Sequence, residues 1–194
     1  MNNIQRLCVY CGSSDAVADR YQEAASELGA RLAAGGIDLV YGGGRVGLMG
    51  LLADAALAAG GKVTGVIPRR LLDAEVAHLG VSELVVVESM HDRKRVMADK
   101  SDAFAVLPGG IGTLDELFEI ISWKQLELHD KPILLIDIGD YWAPLRALLD
   151  HIVLTGFARP QTRGLLRVLP SISGLMVALS EAPPGSPKTD VEQF

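Results

Sequence analysis

Residues 104–116 read FAVLPGGIGTLDE, an apolar run that ends in a proline and two glycines and continues into a helical pattern. The run at 104–107 predicts a strand, and residues 113–127 predict a helix because apolar side chains return at helical spacing. A strand that leads through a glycine-rich turn into a helix is the repeating unit of a parallel sheet with crossover helices. This segment therefore indicates the α/β class.

The same alternation extends to both sides of this segment. Short apolar runs predict further strands at residues 7–11, 37–41, 62–67, 83–87, 133–136 and 165–169. Helical patterns lie between or after them at residues 21–34, 48–59, 90–101, 142–154 and 172–179. Residues 69–83 are predicted to be irregular or partly helical before the fourth strand begins. From residue 182 the composition becomes Pro-rich and polar (APPGSPKTD). The sequence thus predicts one doubly wound domain over residues 1–181, with helices on both faces, and a flexible tail over residues 182–194.

Composition limits the classes of function. The chain has 194 residues, of which 49% are hydrophobic and 22% charged, so it can build a sizeable core and is not a disordered, collagen-like or disulfide-rich protein. A net charge of −6 argues against a general nucleic-acid-binding surface. Because no apolar run approaches the roughly 18 residues of a membrane helix, and no signal peptide precedes the first strand, we predict a cytoplasmic protein.

Two cysteines form a C-x-x-C pattern at Cys8 and Cys11, inside the first predicted strand. A redox pair normally lies where a helix N-terminus lowers a thiol pKa, and a zinc site would need two more ligands at matching spacing. The pair is therefore interpreted as two small core residues. The four histidines are scattered without metal-ligand spacing, so no metal site is predicted.

Three loops follow predicted strands, at the edge of the sheet where helix N-termini present free N–H groups to ligands. The first contains Gly12 and Ser13, the second contains Gly43 and Gly44, and the third spans residues 107–113. The second loop matches G-x-G-x-x-G. However, it follows the second strand and lacks both a later acidic partner for a ribose and a Lys-Ser/Thr pair, so it is neither a dinucleotide fingerprint nor a Walker loop. Its glycines either let amides approach an anion or form a purely structural turn.

Three carboxylates lie directly after the third loop, at Asp115, Glu116 and Glu119. In one interpretation Thr113 and Glu116 form a capping box, which would give Glu116 a structural role. In the other, acids beside a glycine-rich anion site serve a ligand that offers both an anion and hydroxyl groups, as a ribose 5-phosphate does. The sequence leaves both open.

A cluster of cations begins the helix predicted at 90–101. Ser89 and Asp92 fit a capping box, and Arg93, Lys94 and Arg95 follow at once. Cations in the first turns oppose the helix dipole. Either a ligand requires them there, or they form a solvated surface run.

These motifs together resemble the Lonely Guy (LOG) family of cytokinin riboside 5′-monophosphate phosphoribohydrolases. The family pattern P-G-G-x-G-T-x-x-E is present at residues 108–116, and M-H-x-R-K is present at residues 90–94. The strings at 10–14 and 41–50 also resemble the family, so the likeness spans roughly residues 6–170.

The resemblance implies a Rossmann-like fold, a homodimer with the site near the subunit interface, and hydrolysis of N⁶-substituted AMP to a free base and ribose 5-phosphate. It places the catalytic residues at Arg93 and Glu116 and implies no cofactor. Together with the loops above, it predicts substrate contacts at Gly12, Ser13, Gly43, Gly44, Glu75, Lys94, Gly109, Gly110, Ile111, Gly112, Thr113 and Asp115, of which Glu75 is the weakest candidate. Many relatives are labelled lysine decarboxylases, but no lysine here has a recognisable Schiff-base setting.

The sequence leaves two other functions open. The chain could hydrolyse plain AMP or another purine 5′-monophosphate, because the residues that would receive an N⁶ substituent cannot be placed. It could also be a non-catalytic carrier of a nucleotide or of the molybdenum cofactor. The presence of both Arg93 and Glu116 favours catalysis, which we expect to be electrostatic, since an arginine is a poor proton donor.

Overall fold

Seven parallel strands form one sheet in the computed structural model, which describes residues 4–73 and 76–181. The strands are β1 (Arg6–Tyr10), β2 (Asp38–Tyr41), β3 (Val63–Pro68), β4 (Glu83–Val87), β5 (Ala103–Val106), β6 (Ile133–Ile136) and β7 (Arg167–Leu169). The helices that connect and follow them are α1 (Asp19–Ala34), α2 (Gly47–Ala58), α3 (Arg69–Asp73), α4 (Met90–Asp99), α5 (Ile111–Gln125), α6 (Ala143–Leu154) and α7 (Ile172–Glu181).

The spatial order of the strands is β4-β3-β2-β1-β5-β6-β7. The chain therefore builds outward from β1 to β4 and then returns to the other side of β1 to place β5. Cys8 of β1 pairs with Val40 of β2 on one side and with Phe104 of β5 on the other. The order reverses between β1 and β5, and in an open parallel sheet the crevice at the carboxyl ends of such a pair is the usual ligand site.

Helices cover both faces of the sheet because the central strands are apolar on both sides. Along β1, Leu7 and Val9 pack in the core that also contains buried residues of α1, α2 and α7. Cys8 and Tyr10 point the other way, into the core formed with α4, α5 and α6. The doubly wound α/β prediction is confirmed.

Most predicted elements agree with the structure to within one or two residues, and the differences have local causes. The last strand begins at Arg167 rather than at residue 165, because residues Pro160–Leu165 form a 3₁₀ helix. The segment 69–83 contains the short helix α3, as expected. The predicted tail, 182–194, lies outside the described residues, so the boundary at 181 stays a prediction. No helix among the described residues is long and apolar enough to cross a membrane.

The cysteine pair behaves as predicted from its position in the strand. Cys8 and Cys11 are both buried and unbridged. They lie in the two different cores, on opposite faces of the sheet. Burial raises the pKa of each thiol well above its ordinary value, since the thiolate would lose its hydration. Their role as core residues is confirmed.

Candidate active site

The loops after β1 and β5 meet at the reversal point of the sheet. The N–H of Gly12 donates a 3.1 Å hydrogen bond to the carbonyl of Pro108. The two loops lie very close to each other. A β-carbon on Gly12 would lie 3.3 Å from Cα of Gly109, and one on Gly109 would lie 2.9 Å from the nitrogen of Gly12. Glycine at both positions permits this approach. Ser13 follows in the same loop and is exposed.

Helix α5 begins at Ile111, directly after this contact, with Gly110 as its N-cap residue. The N–H of Leu114 makes a 3.0 Å bond to the carbonyl of Gly110. The N–H groups of Ile111, Gly112 and Thr113 precede it and have no partner within the helix, as helix geometry dictates. They form a place where an anion such as a phosphate can bind.

The Thr113–Glu116 capping box is wrong. Thr113 is the third residue of α5 rather than its N-cap, and no side chain caps this helix. The oxygen of Thr113 packs against Gly109 instead, and Thr113 is buried. The helix starts two residues earlier than predicted because the chain already turns at Gly110. Glu116 is therefore free of the structural role that competed with a catalytic one.

Tyr141 fixes the glycine loop from the side of β6. Its hydroxyl donates a 2.7 Å hydrogen bond to the carbonyl of Gly109. Its ring lies edge-on against Tyr21 and Trp142, with centroid distances of 5.5 and 4.8 Å. Holding one face of the Gly109–Gly110 peptide orients the N–H on the other face. No local pattern in the sequence marks Tyr141, since it lies 32 positions from Gly109 in the chain.

Glu116 lies in the second turn of α5 and keeps only 11% of its side-chain exposure. Burial raises the pKa of this carboxyl to about 7 because the ionised form loses water. The charge of Arg93 lowers the pKa and so opposes this effect, while Asp115 adds to it. A buried carboxyl with a pKa displaced towards neutrality is typical of a functional site.

Arg93 extends from α4 to the ends of β2 and β3. Its Nε donates to the carbonyl of Val66 at 3.2 Å, and its Nη2 donates to the carbonyl of Gly42 at 2.8 Å. Its Nη1 lies 3.9 Å from Oε1 of Glu116, and the side chain is 9% exposed. A solvated surface run is therefore wrong for Arg93. It fits Arg95, which is half exposed and pairs with Asp92 on its own helix.

The helix that carries Arg93 starts as the sequence predicts. Ser89 is its N-cap residue, and its hydroxyl oxygen accepts a 3.0 Å hydrogen bond from the N–H of Asp92. In return, the same hydroxyl donates to the Asp92 carboxylate at 2.7 Å.

Lys94 is engaged by carboxylates of α5. Its Nζ lies 3.1 Å from Oδ2 of Asp115 and 3.1 Å from Oε1 of Glu119. Partial burial lowers the pKa of the ammonium, but these two acceptors outweigh that effect and the net pKa is raised. A Schiff-base lysine needs the opposite shift. The predicted substrate contacts of Lys94 and Asp115 stay predictions, and the structure adds that the two side chains bind each other.

The loop after β2 is held by the protein itself. Gly43 accepts a 2.8 Å bond from the N–H of His78, and Gly44 forms an antiparallel bridge with Ala77. The N–H of Gly47, the first residue of α2, donates to Oδ1 of Asp15 at 2.7 Å. A carboxylate of the chain thus occupies the position at the start of α2 that an anion would take. These bonds support the structural-turn interpretation, and substrate contacts at Gly43 and Gly44 stay predictions.

Two predictions about ligands, the substrate contact of Glu75 and the absence of a metal site, stay predictions. Glu75 lies outside the described residues. Among residues 4–73 and 76–181, no group of three or more His, Cys, Asp and Glu side chains could hold a metal ion.

The chain is similar in sequence to proteins of a known family. A family model described as "Possible lysine decarboxylase" matches residues 49–179. The chain is 47% identical over 183 residues to a protein of Oryza sativa subsp. japonica named as a probable cytokinin riboside 5′-monophosphate phosphoribohydrolase, with coverage of 94% of this chain and 75% of that one. It is 44% identical over 183 residues to a cytokinin riboside 5′-monophosphate phosphoribohydrolase of Arabidopsis thaliana, with coverage of 94% and 86%.

Solved structures show the same fold at lower identity. The molybdenum cofactor binding protein of Rippkaea orientalis superposes with a TM-score of 0.70 at 19% identity, over 90% of this chain and 94% of that one. The molybdenum cofactor carrier protein of Chlamydomonas reinhardtii superposes with a TM-score of 0.68 at 23% identity, over the same shares. At these identities the likeness concerns the fold alone. The match of the family model and the identity to the two plant proteins show that this chain belongs to the LOG family.

Proposed function

We propose that this protein hydrolyses the N-glycosidic bond of N⁶-substituted AMP and releases a cytokinin base and ribose 5-phosphate. The observation that carries the proposal is the buried pair formed by Glu116 and Arg93, 3.9 Å apart, beside the start of α5. An anion site, a carboxylate and a guanidinium at one crevice are the groups that this reaction requires.

Binding follows from the positions of these groups. The 5′-phosphate binds the N–H groups of Ile111, Gly112 and Thr113 at the start of α5, where the helix dipole favours negative charge. Glu116 lies one turn further along the same helix and accepts hydrogen bonds from the ribose hydroxyls. The ribose is thereby held with its C1′ near the carboxylate.

Cleavage develops charge that these side chains are placed to stabilise. The C1′–N9 bond breaks with its electron pair moving to the purine, and positive charge develops at C1′ and the ring oxygen. Ionised Glu116 stabilises that positive charge, and Arg93 stabilises negative charge on the departing base. A water molecule gives its oxygen to C1′, one proton to the base nitrogen and the other to the new hydroxyl. Arg93 remains charged throughout, since its pKa is too high for proton donation.

The alternatives are weaker at this site. A carrier of the kind found among the structural neighbours needs the glycine loops but has no need for a carboxylate with a pKa near 7 in the crevice. A lysine decarboxylase needs a reactive lysine, and Lys94 is bound between two carboxylates. Hydrolysis of unsubstituted AMP uses the same groups and is separated from the proposal by experiment.

We also propose a cytoplasmic homodimer with the site near its interface. Two apolar side chains at this edge of the sheet support the interface. Met90 is 46% exposed at the start of α4, and Ile111 is 82% exposed at the start of α5. A second subunit would cover both and exclude water from the crevice.

The test is release of free base by purified protein from isopentenyl-AMP, AMP, GMP and CMP. We expect isopentenyl-AMP to be cleaved fastest, and Glu116→Gln to lower kcat by about 100- to 1,000-fold while AMP still binds in calorimetry. Glu27→Gln serves as the control. Glu27 forms an exposed ion pair with Arg31 on α1, so this variant should keep full activity.

Other outcomes would point to a different catalytic residue or to a different function. Near-normal turnover in Glu116→Gln would remove the catalytic role of Glu116. Cleavage of AMP alone would indicate purine salvage, and tight nucleotide binding without any cleavage would indicate a carrier.

A further inference from the structure

Gly42 follows β2 directly, and the guanidinium of Arg93 lies against it. The carbonyl of Gly42 accepts a 2.8 Å hydrogen bond from Nη2 of Arg93. A β-carbon at position 42 would overlap Nη2 and lie 2.9 Å from Cζ. The side chain of Arg93 therefore occupies the space that any other residue at this position would need.

Space, rather than backbone conformation, requires a glycine at this position. The nearby Gly43 and Gly47 have φ angles of 71° and 61°, in the left-handed region that favours glycine. Gly42 has no such φ angle. An alanine there would not need the left-handed backbone, and the three atoms nearest to its β-carbon would all belong to the end of the flexible Arg93 side chain. The expected response is displacement of the guanidinium rather than loss of the fold.

That displacement would act directly on the site. The Arg93 side chain is 9% exposed, and its three nitrogens face Val66, Gly42 and Glu116. A β-carbon at position 42 would break the hydrogen bond to the Gly42 carbonyl and move Nη1 relative to the Glu116 carboxylate. Misplacement of a catalytic group by about 1 Å can lower a rate by about 100-fold.

We propose that Gly42 is a positioning residue for hydrolysis, because its missing side chain lets the Arg93 guanidinium lie across the ends of β2 and β3 and face Glu116. The proposal rests on the proposed function, in which Arg93 acts on the substrate. Gly42 itself touches no reacting atom and acts through Arg93.

A double-mutant cycle tests this role. Gly42→Ala, Arg93→Ala and the double variant are compared with the parent in hydrolysis of isopentenyl-AMP. Gly164→Ala is the control, since a β-carbon there meets nothing within 4 Å. We expect Gly42→Ala to lower kcat by about 100-fold with little change in KM, because the phosphate site on α5 is untouched. In the Arg93→Ala background the same substitution should cause no further loss.

The results distinguish the positioning role of Gly42 from the catalytic role of Arg93. Activity of Gly42→Ala close to that of the parent, or losses that add in the double variant, would overturn the role of Gly42 alone. Full activity of Arg93→Ala would instead overturn the role of Arg93 and this proposal with it. If Gly42→Ala fails to fold, thermal melting of the double variant decides. Recovery to the melting temperature of Arg93→Ala supports the steric cause, and failure to recover overturns it.

Discussion

Glu116 shows a conflict between stability and function at the scale of one residue. Its carboxyl keeps 11% of its side-chain exposure, and its pKa is about 7 rather than the ordinary 4.5. Burial favours the neutral form, and Arg93 at 3.9 Å offsets only part of this effect. The ionised form, which in the proposed mechanism stabilises positive charge on the ribose, therefore lowers the stability of the fold, as is common at active sites.

The first prediction concerns the pH dependence of the rate. In the proposed mechanism the ionised carboxylate is the active form, so kcat/KM for isopentenyl-AMP should rise with pH through a midpoint near 7. Initial rates at substrate concentrations well below KM, from about pH 5 to about pH 9, measure this. Nucleotide binding over the same range is the control for titration of the phosphate itself. A kcat/KM that shows no midpoint within this range would mean that Glu116 is not desolvated in solution.

The second prediction concerns stability. The folded protein holds a proton on Glu116 up to about pH 7, whereas the unfolded chain releases it near 4.5. Between these values the folded state binds more protons, so the free energy of unfolding falls as pH rises. Glu116→Gln lacks this titration and should be more stable than the parent by up to about 3 kcal/mol above about pH 7, with most of the difference lost at about pH 5.

Urea unfolding at these two pH values measures the differences. Glu27→Gln, which replaces an exposed carboxylate, should change stability little at either pH. Equal stability of Glu116→Gln and the parent above neutral pH would contradict the raised pKa.

At the scale of elements, the site depends on how α4 and α5 are held together. Both helices begin at the carboxyl edge of the sheet, but their starts differ. Ser89 caps α4 with its side chain, whereas Gly110 precedes α5 without a side-chain cap. The first N–H groups of α5 therefore have no partner within the helix. Lys94 then joins the two helices through Asp115 and Glu119.

The third prediction tests this connection. Lys94→Gln removes the cation between Asp115 and Glu119, and one Glu119 oxygen is already buried without a hydrogen-bond partner among the described residues. We expect a loss of about 1–3 kcal/mol in the free energy of unfolding. The pH–rate midpoint should also rise, because the charge of Lys94 lowers the pKa of Glu116.

Arg95→Gln provides the matched control on the next residue of α4. Arg95 is half exposed and pairs only with Asp92 among the described residues. It should change stability by less than about 0.5 kcal/mol. Equal effects of the two substitutions would show that the Lys94 pair contributes no more than a surface contact.

At the scale of the whole molecule, the strand order creates the site. The loops that follow β1 and β5 meet because the order reverses between these two strands. The Gly12–Pro108 hydrogen bond joins segments that lie far apart in the chain. Helices α1, α2 and α7 pack in the core on the opposite face of the sheet, and α4 and α5 carry the residues of the crevice.

The fourth prediction concerns assembly. A homodimer should sediment at twice the chain mass of 20.7 kDa. Ile111→Glu should shift it to the monomer, because a charge at this exposed position would be buried in the proposed interface. Phe157→Glu is the control. Phe157 is 90% exposed, but it follows α6 at the opposite edge of the sheet. Dissociation by Phe157→Glu alone would place the interface away from the site.

The sequence by itself determined the α/β class, the order of strands and helices along the chain and the Ser89 cap of α4. It also singled out Arg93 and Glu116 as candidates. These features depend on periodicity and on short motifs, which act over a few neighbouring residues. Even the wrong capping box at Thr113 follows from this locality. The four residues fit the motif, but the turn at Gly110 decides where α5 begins.

Only the tertiary structure decided which of these residues act together. Hydrogen bonds link Arg93 to Gly42, 51 residues away in the chain, and Lys94 to Asp115, 21 residues away. Two further hydrogen bonds, from Tyr141 to Gly109 and from Gly47 to Asp15, each span 32 residues. Such contacts depend on strand order and on packing distances, which leave no periodic trace in the chain. The shifted pKa of Glu116 has the same origin, because desolvation is a property of the packed crevice rather than of the residue.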